Sequence, residues 1–165
     1  MQRIAFLSYL HHMDDFIELA EEVTIHKIRS AWHEIARVYN EVAARYGITL
    51  SMGFVLLTLH EEGGTPVTKI APRMGMEPNS LSRTLKNMED KALIYRRKDE
   101  IDKRKVYICP TEHGKQMRKV ALKSVYQLHD AIVEDVAPEK VNAFFEVINQ
   151  VSASVEKFRK ETKEL

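Results

Sequence analysis

The amino-acid sequence predicts a mainly α-helical protein: a winged helix-turn-helix, with a small β-hairpin as its wing, between terminal helices that form a dimerisation domain. Apolar residues recur at helical spacing along most of the chain. Two short strand-like runs flank a stretch that is almost entirely charged. Positive charge is concentrated in residues 66–119, which contain 14 basic and 7 acidic side chains, a net charge of +7, whereas the rest of the 165 residues carries −6. A surface with such an excess usually binds a phosphate backbone.

Composition limits the class of protein. A chain of 165 residues forms one domain, or one domain with helical extensions, and can bury a substantial core. Its single cysteine, Cys109, excludes an intramolecular disulfide. No apolar run approaches the roughly 18 residues that span a bilayer, and the start of the chain does not resemble a signal peptide. We therefore expect a cytoplasmic protein with no membrane partner.

The N-terminal third is predicted to be helical. One apolar stripe follows steps of three and four residues: Ile28, Trp32, Ile35, Tyr39, Val42 and Tyr46. Gly47 is expected to end this helix. The upstream segment from Phe16 to Val23 is expected to be either a separate turn or an extension of the same helix. Ser51 is a candidate N-cap for a compact apolar helix that ends before Gly63 and Gly64.

Two short helices are predicted next. Thr65 and Pro66 indicate a helix start, because a hydroxyl can cap the first turn and proline fits the first helical position. Gly75 is expected to end that helix, and Pro78 to begin the next. The buried stripe of the second helix consists of Leu81, Leu85 and Met88. Its opposite face presents side chains of the types that bind base edges and phosphates: Asn79, Ser80, Ser82, Arg83, Lys86 and Asn87. Two helices joined by a tight turn predict a helix-turn-helix.

A change of pattern after Asp90 predicts a β-hairpin. Residues 93–95 and 106–109 are short apolar runs, and the residues between them are almost all charged. Standing alone, such a charged run is as often a solvated loop. Because strands flank it and two short helices precede it, we interpret it as a hairpin tip that can reach a neighbouring minor groove.

The C-terminal third is predicted to form two more helices, one from Pro110-Thr111 to Val136 and one from Pro138. The last helix has a seven-residue apolar repeat that continues to Phe158. A small central unit cannot cover this surface and that of the N-terminal helices, so we expect a homodimer; the alternative is a monomer whose helical hairpin folds back on itself. The expected organisation is residues 1–47 and 115–165 for dimerisation and residues 48–114 for DNA binding.

The central region resembles the multiple antibiotic resistance regulator (MarR) family. That family's wing signature is D-x-x-D-x-R followed, after five residues, by L-T-x-x-G, and this chain reads DEIDKRKVYICPTEHG from Asp99. The upstream run SLSRTLKNMEDKALI is similar to the family's recognition helix and its exit into the wing. Pro110 differs from the usual leucine. Ala92 stands where glycine usually ends the recognition helix, so it must adopt a left-handed conformation or the helix must end differently.

The resemblance implies a homodimeric regulator of transcription that binds double-stranded DNA, with repression favoured over activation. It implies that Arg104 lies at the minor groove and that Asp99 and Asp102 stabilise the wing. The other candidate DNA contacts are Thr68, Asn79, Ser80, Ser82, Arg83, Lys86, Asn87, Arg97 and Lys103. It also implies an effector site where the dimerisation helices meet the winged helix.

Three aromatic side chains are candidates for that effector site. Trp32, Tyr39 and Phe54 could line a pocket for a small aromatic or lipophilic molecule, mainly on the basis of the resemblance. The alternative is that they are ordinary core residues, which is the commoner role of aromatic residues at helical spacing.

Catalytic and metal-binding motifs do not emerge from the sequence. The seven histidines include no His-x-x-x-His pair, and the single cysteine cannot form a Cys-x-x-Cys pair, so no metal or cofactor is expected. Cys109 is interpreted as a small buried hydrophobe rather than a sensor. No nucleophile or phosphate-binding motif indicates an enzyme. The rival from another class is a helical protein–protein adaptor that uses the heptad-patterned helix and does not bind DNA specifically.

Overall fold

The computed structural model describes residues 23–163, in which six α-helices and three β-strands form the predicted winged-helix order. The helices are α1 (Thr24–Ala44), α2 (Leu50–Thr58), α3 (Val67–Met74), α4 (Pro78–Asp90), α5 (Glu112–Val133) and α6 (Pro138–Lys163). The strands are β1 (Thr65–Pro66), β2 (Ile94–Lys98) and β3 (Val106–Pro110). The helical segment predicted upstream of Val23 lies outside the described residues.

The chain divides into two compact units between Arg118 and Lys119. The first unit contains α1 to α4 and the three strands, and the second contains α6. The core of the described chain belongs to the first unit. Its most deeply buried apolar side chains are Val55, Leu56, Ile70, Leu85, Met88, Leu93 and Ile108. These residues come from α2, α3, α4 and the strands, so the hydrophobic contacts that fix the winged helix are internal to one unit.

Helices α1 and α2 differ from the prediction at their ends. Helix α1 stops at Ala44, three residues before Gly47, which has a left-handed φ of 68° in the following turn. The sequence suggested Ser51 as the N-cap of α2, and this prediction is wrong. The N-cap is Thr49, whose hydroxyl accepts a hydrogen bond from the Met52 N–H at 3.3 Å. Two hydroxyl residues stand close together here, and only the structure shows which one has the extended backbone that an N-cap needs.

The prediction that Thr65-Pro66 begins a helix is wrong. These two residues form β1, which pairs antiparallel with β3 through Thr65↔Ile108 and Pro66↔Tyr107. The buried Thr65 hydroxyl accepts a hydrogen bond from the His60 N–H at 2.8 Å, so it closes the preceding loop instead of capping a helix. Helix α3 begins one residue later, at Val67. The pairing partner lies more than 40 residues away in the sequence, and local pattern therefore gave no sign of it.

Helices α3 and α4 agree with the predicted helix-turn-helix. Gly75 ends α3 in a left-handed conformation with φ 58°, and Pro78 occupies the first turn of α4. The predicted stripe of Leu81, Leu85 and Met88 is buried, with exposed fractions of 0–3%. This packing anchors α4 along one face and leaves its polar face in solvent.

The three strands form one antiparallel sheet in the order β1-β3-β2. Strands β2 and β3 are the two arms of the wing, in register from Ile94↔Pro110 to Lys98↔Val106. Pro110 is thus the last residue of β3 and not the start of a helix. Helix α5 begins at Glu112 and ends at Val133, which is three residues before the predicted end.

Helix α6 is continuous from Pro138 to Lys163, as the seven-residue repeat predicted. It presents several large apolar side chains to solvent. Their exposed fractions are 58% for Phe144, 50% for Phe145, 58% for Val155 and 66% for Phe158. Among the described residues, no element covers this apolar stripe of α6.

Candidate nucleic-acid interface

The polar face of α4 is the first part of the candidate interface. Asn79, Ser82, Arg83, Lys86 and Asn87 are exposed, and Ser80 is half-buried. Within the described chain, no hydrogen bond or ion pair occupies the side chains of Arg83 and Lys86. Because the opposite face of the helix is packed in the core, the backbone that carries these side chains is held in place. Thr68, on the neighbouring α3, is also exposed.

A compact polar clamp joins α4 to the wing. Ala92 adopts the left-handed conformation, with φ 52°, so the departure from glycine does not change how the helix ends. The Thr111 hydroxyl donates to the Ala92 carbonyl at 2.7 Å and accepts from the Gly114 N–H at 3.0 Å. Gly114 packs against the Leu93 carbonyl so closely that a Cβ atom there would overlap it. Thr111 and Gly114, the second half of the wing signature, therefore fix the direction in which the chain leaves α4.

The wing tip is built from hydrogen bonds. Asp99 Oδ1 accepts from the backbone N–H groups of Ile101 and Asp102 at 3.0 and 2.9 Å. These hydrogen bonds, with that to Asp102 the larger contribution, lower the pKa of Asp99 below its usual value of 3.8. Asp102 Oδ1 accepts from both the backbone N–H and the Nε of Arg104, each at 3.2 Å. Both acids accept hydrogen bonds within the tip, and their wing-stabilising role stays a prediction.

The cationic side chains of the wing differ in exposure and in the number of contacts that they make within the protein. Arg104 is 92% exposed although its Nε contacts Asp102, and Lys103 is exposed at the same tip. Arg97 is more constrained, because its Nη2 donates to the Gly63 carbonyl at 2.7 Å. Its guanidinium also lies 5.1 Å from the ring centroid of Tyr107, within the range of a cation–π contact.

Several arginine side chains make contacts between elements that were not predicted from the sequence. Arg96 Nε contacts both carboxylate oxygens of Glu89 at 3.0 and 3.1 Å and ties β2 to α4. Arg118 Nη1 contacts Glu61 Oε1 at 2.9 Å, so α5 is tied to the same loop that Arg97 holds at Gly63. Sequence separation of 57 residues for the Arg118–Glu61 pair left no local signal that could have revealed it.

The three aromatic residues proposed for an effector site do lie together. The Trp32 and Phe54 rings stack with centroids 6.1 Å apart, and the Tyr39 ring meets Phe54 edge-on at 6.0 Å. Trp32 is 45% exposed, so the cluster reaches the surface of the first unit. Burial raises the pKa of the Tyr39 hydroxyl above 10.0.

The described residues contain neither a metal-binding cluster nor a membrane-spanning helix. Between residues 23 and 163, no group of three or more His, Cys, Asp or Glu side chains is placed to hold a metal ion. No helix in this described part of the chain is long and apolar enough to cross a membrane. Cys109 is a free, buried thiol.

The sequence is similar to a known family and to characterised regulators. The family model described as MarR family matches residues 48–106. The HTH-type transcriptional regulator MgrA of Staphylococcus aureus is 30% identical over 107 residues, which cover 64% of this chain and 72% of MgrA. The HTH-type transcriptional regulator SarZ of Staphylococcus epidermidis is 29% identical over 87 residues, covering 53% of this chain and 59% of SarZ.

Solved structures support the same fold. The S. aureus MepR–DNA complex has a TM-score of 0.75 at 22% identity and covers 81% of this chain and 98% of that protein. A MarR family regulator from Listeria monocytogenes, complexed with 26mer DNA, has a TM-score of 0.73 at 16% identity, with coverage of 81% and 89%. CouR from Rhodococcus jostii RHA1, bound to p-coumaroyl-CoA, has a TM-score of 0.67 at 19% identity, with coverage of 80% and 93%.

The match to MgrA carries the assignment beyond fold, and the wing signature agrees with it. Members of the matched family regulate transcription and are not enzymes, which also favours a regulator over the adaptor alternative. This chain belongs to the MarR family of DNA-binding, winged-helix transcriptional regulators.

Proposed function

We propose that the protein binds a roughly palindromic duplex DNA site as a homodimer and represses the genes next to that site. The observation that carries the proposal is the outward face of α4. Arg83 and Lys86 are exposed cations without an intramolecular partner in the described chain, on a helix fixed to the core by three buried side chains. Because the backbone of the helix is already fixed before binding, only the side chains of Arg83 and Lys86 lose conformational freedom when they meet DNA.

In this proposal α4 lies in the major groove. Arg83 and Lys86 contact base edges or phosphates, because arginine and lysine suit the O6 and N7 acceptors of guanine. The remaining contacts on this helix come from Asn79, Ser80, Ser82 and Asn87. Thr68, on α3, donates to a phosphate, as the first helix of a helix-turn-helix crosses the backbone.

The wing is proposed to contact the adjacent minor groove. Arg104 enters the groove, where a narrow A·T-rich segment has enhanced negative potential. Lys103 contacts a phosphate at the groove edge. Arg97 contacts a phosphate with the guanidinium nitrogens that Gly63 does not use. Asp99 and Asp102 hold the tip in the shape that presents these cations.

The homodimer is proposed to form through the terminal regions, residues 1–47 and 115–165, with residues 48–114 binding DNA. The exposed apolar stripe of α6, including Phe144, Phe145, Val155 and Phe158, supports this division. A second copy of the chain would cover the stripe by two-fold symmetry, the commonest arrangement of soluble oligomers.

An effector is proposed to adjust the affinity for DNA. The half-exposed cluster of Trp32, Tyr39 and Phe54 would bind a small aromatic or lipophilic molecule. Two half-sites on one face of DNA lie about 34–36 Å apart, so two rigid winged helices fit only near that separation. A ligand that binds better to a dimer with another separation lowers DNA affinity by that difference in binding free energy.

The test is selection of bound fragments from random duplex DNA, followed by titration of the selected site at several salt concentrations. We expect a site with two-fold symmetry and a logarithm of affinity that falls with the logarithm of salt, at a slope of about −0.9 per phosphate contact. Arg83→Ala and Lys86→Ala should weaken binding, whereas Asp90→Ala at the end of α4 is the control. A flat salt response, or a selected site without symmetry, would contradict the proposal.

A further inference from the structure

One large apolar side chain of the wing has no role in the fold. Ile101 lies at the hairpin tip and is 96% exposed, more than any other large hydrophobic residue in the described chain. Neither the core nor the polar network of the tip uses its side chain. An apolar side chain held in water is less favourable than one that is covered, so this position gains from a binding partner.

The backbone beneath Ile101 is fixed. Its N–H donates to Asp99 Oδ1 at 3.0 Å, and the next N–H, that of Asp102, donates to the same oxygen at 2.9 Å. The tip is closed by two more backbone hydrogen bonds, from Lys105 N–H to the Asp102 carbonyl at 2.9 Å and from Asp99 N–H to the Lys105 carbonyl at 3.0 Å. The isoleucine therefore projects from an ordered turn, and little backbone entropy is lost when it makes a contact.

The surroundings of Ile101 identify the kind of partner. Lys103 and Arg104, both exposed, lie at the same tip. An isolated apolar side chain beside two cations matches a minor groove, whose sugar edges are apolar and whose rims are phosphates. A protein interface would need a larger apolar patch than one residue.

We propose that Ile101 is a DNA-contacting residue that packs against the sugar edges of the minor groove beside Arg104. The inference rests on the proposed function, because it requires the wing to enter that groove. It adds a preference for sequence: a narrow A·T-rich groove brings both sugar walls near the side chain, whereas the guanine N2 amino group of a G·C pair obstructs the floor.

The first experiment compares four wing variants on the selected site: Ile101→Ala, Ile101→Leu, Lys103→Ala and Arg104→Ala. Loss of a half-covered apolar side chain should weaken binding by roughly five-fold in Ile101→Ala, and Ile101→Leu should bind like the parent protein. The slope of affinity against salt should not change in Ile101→Ala, because no phosphate contact is lost. Lys103→Ala should reduce that slope by about 0.9.

Each outcome has a distinct meaning. Parent-like binding by Ile101→Ala, together with weaker binding by Arg104→Ala, overturns the role of Ile101 and leaves the proposed function intact. Parent-like binding by all four variants overturns the wing contacts of the proposed function and this inference with them. Thermal melting of Ile101→Ala should match that of the parent protein, since the side chain is exposed and contributes no packing.

The second experiment changes the DNA under the wing. A·T pairs at the wing position are replaced by G·C pairs, or by inosine·C pairs, which lack the guanine amino group. We expect the parent protein to lose affinity on G·C and to regain it on inosine·C, while Ile101→Ala shows a smaller difference between the sites. Equal losses from Ile101→Ala on all three sites would overturn the minor-groove contact.

Discussion

Helix α4 and the wing present cations to the same proposed partner, but they are held in different ways. Helix α4 rests on apolar packing, with Leu81, Leu85 and Met88 no more than 3% exposed. The wing tip rests on hydrogen bonds that two carboxylates, those of Asp99 and Asp102, accept. The cations of α4 have no intramolecular partner in the described chain, whereas Arg104 of the wing shares the Asp102 carboxylate.

This difference indicates which part should adapt more easily. Apolar packing involves no charged group that salt could screen. Truncation of a buried side chain costs much stability, because the surroundings refill the cavity only in part. Exposed ion pairs contribute little and are screened by salt, so wing cations can exchange an internal partner for a phosphate at small cost. We therefore expect α4 to set the position of the DNA and the wing to adjust affinity.

The largest effect is expected from the packing beneath α4. Leu85→Ala, at a side chain that is 1% exposed, should lower the free energy of unfolding by about 2–5 kcal/mol. Thermal or urea denaturation measures the loss, and DNA binding should fall only as far as the folded fraction falls. The exposed Asp90→Ala on the same helix is the matched control, with little change. A small effect of Leu85→Ala would mean that α4 is not anchored by its apolar stripe.

The second largest loss of stability is expected from a substitution at the junction between α4 and the wing. Gly114→Ala places a Cβ atom against the Leu93 carbonyl, and the backbone at Leu93 or at residue 114 must move to relieve the overlap. Overpacking of this kind costs about 1–3 kcal/mol of stability. Because the same contact orients the wing, DNA affinity should fall even where the variant is fully folded. His113→Ala, an exposed neighbour in α5, is the control. Parent-like stability and binding of Gly114→Ala would contradict the clamp.

Arginine substitutions compare the two surfaces directly. Arg83→Ala should cost about 1–3 kcal/mol of binding free energy and relax specificity at one base pair, without changing thermal stability. Arg104→Ala should cost less, because the minor groove presents a degenerate set of acceptors and distinguishes base pairs less well than the major groove does. Titration of the selected site measures both losses. A greater loss for Arg104→Ala would reverse the assignment of position to α4 and adjustment to the wing.

Much of the fold was predicted because its signals are local. The periodic stripe of Leu81, Leu85 and Met88 predicted the buried face of α4, and it is buried. The family resemblance left open whether Ala92 is left-handed or the helix ends differently, and Ala92 is left-handed with φ 52°. The charged run between two apolar strands was interpreted as a hairpin tip, and β2 and β3 pair on either side of it.

The features that were missed depend on distant residues. Thr65 and Pro66 have the composition of a helix start, but pairing with Ile108 and Tyr107 draws them into the sheet. Arg97 was predicted only as a DNA contact. Its guanidinium also donates a hydrogen bond to the carbonyl of Gly63, which lies 34 residues earlier in the sequence. Such contacts are decided by tertiary packing, so propensity and spacing along the chain do not reveal them.

The smallest effect is expected from acid. It is also the effect most specific to the wing, because it depends on the Asp99 carboxylate at the tip. Hydrogen bonds from Asp102 and Ile101 lower the pKa of Asp99 below 3.8, so the ionised carboxylate supports the tip above that pH. The support is lost as the pH falls through the lowered pKa, because a protonated carboxyl is a weaker acceptor. Backbone amide signals of Ile101 and Asp102, followed by NMR, should therefore hold constant near neutral pH and shift together below pH 3.8. Asp99→Asn keeps an oxygen acceptor but cannot ionise, so it should abolish this transition while α4 signals stay unchanged. A transition that persists in Asp99→Asn would assign the acid response to another carboxylate of the tip.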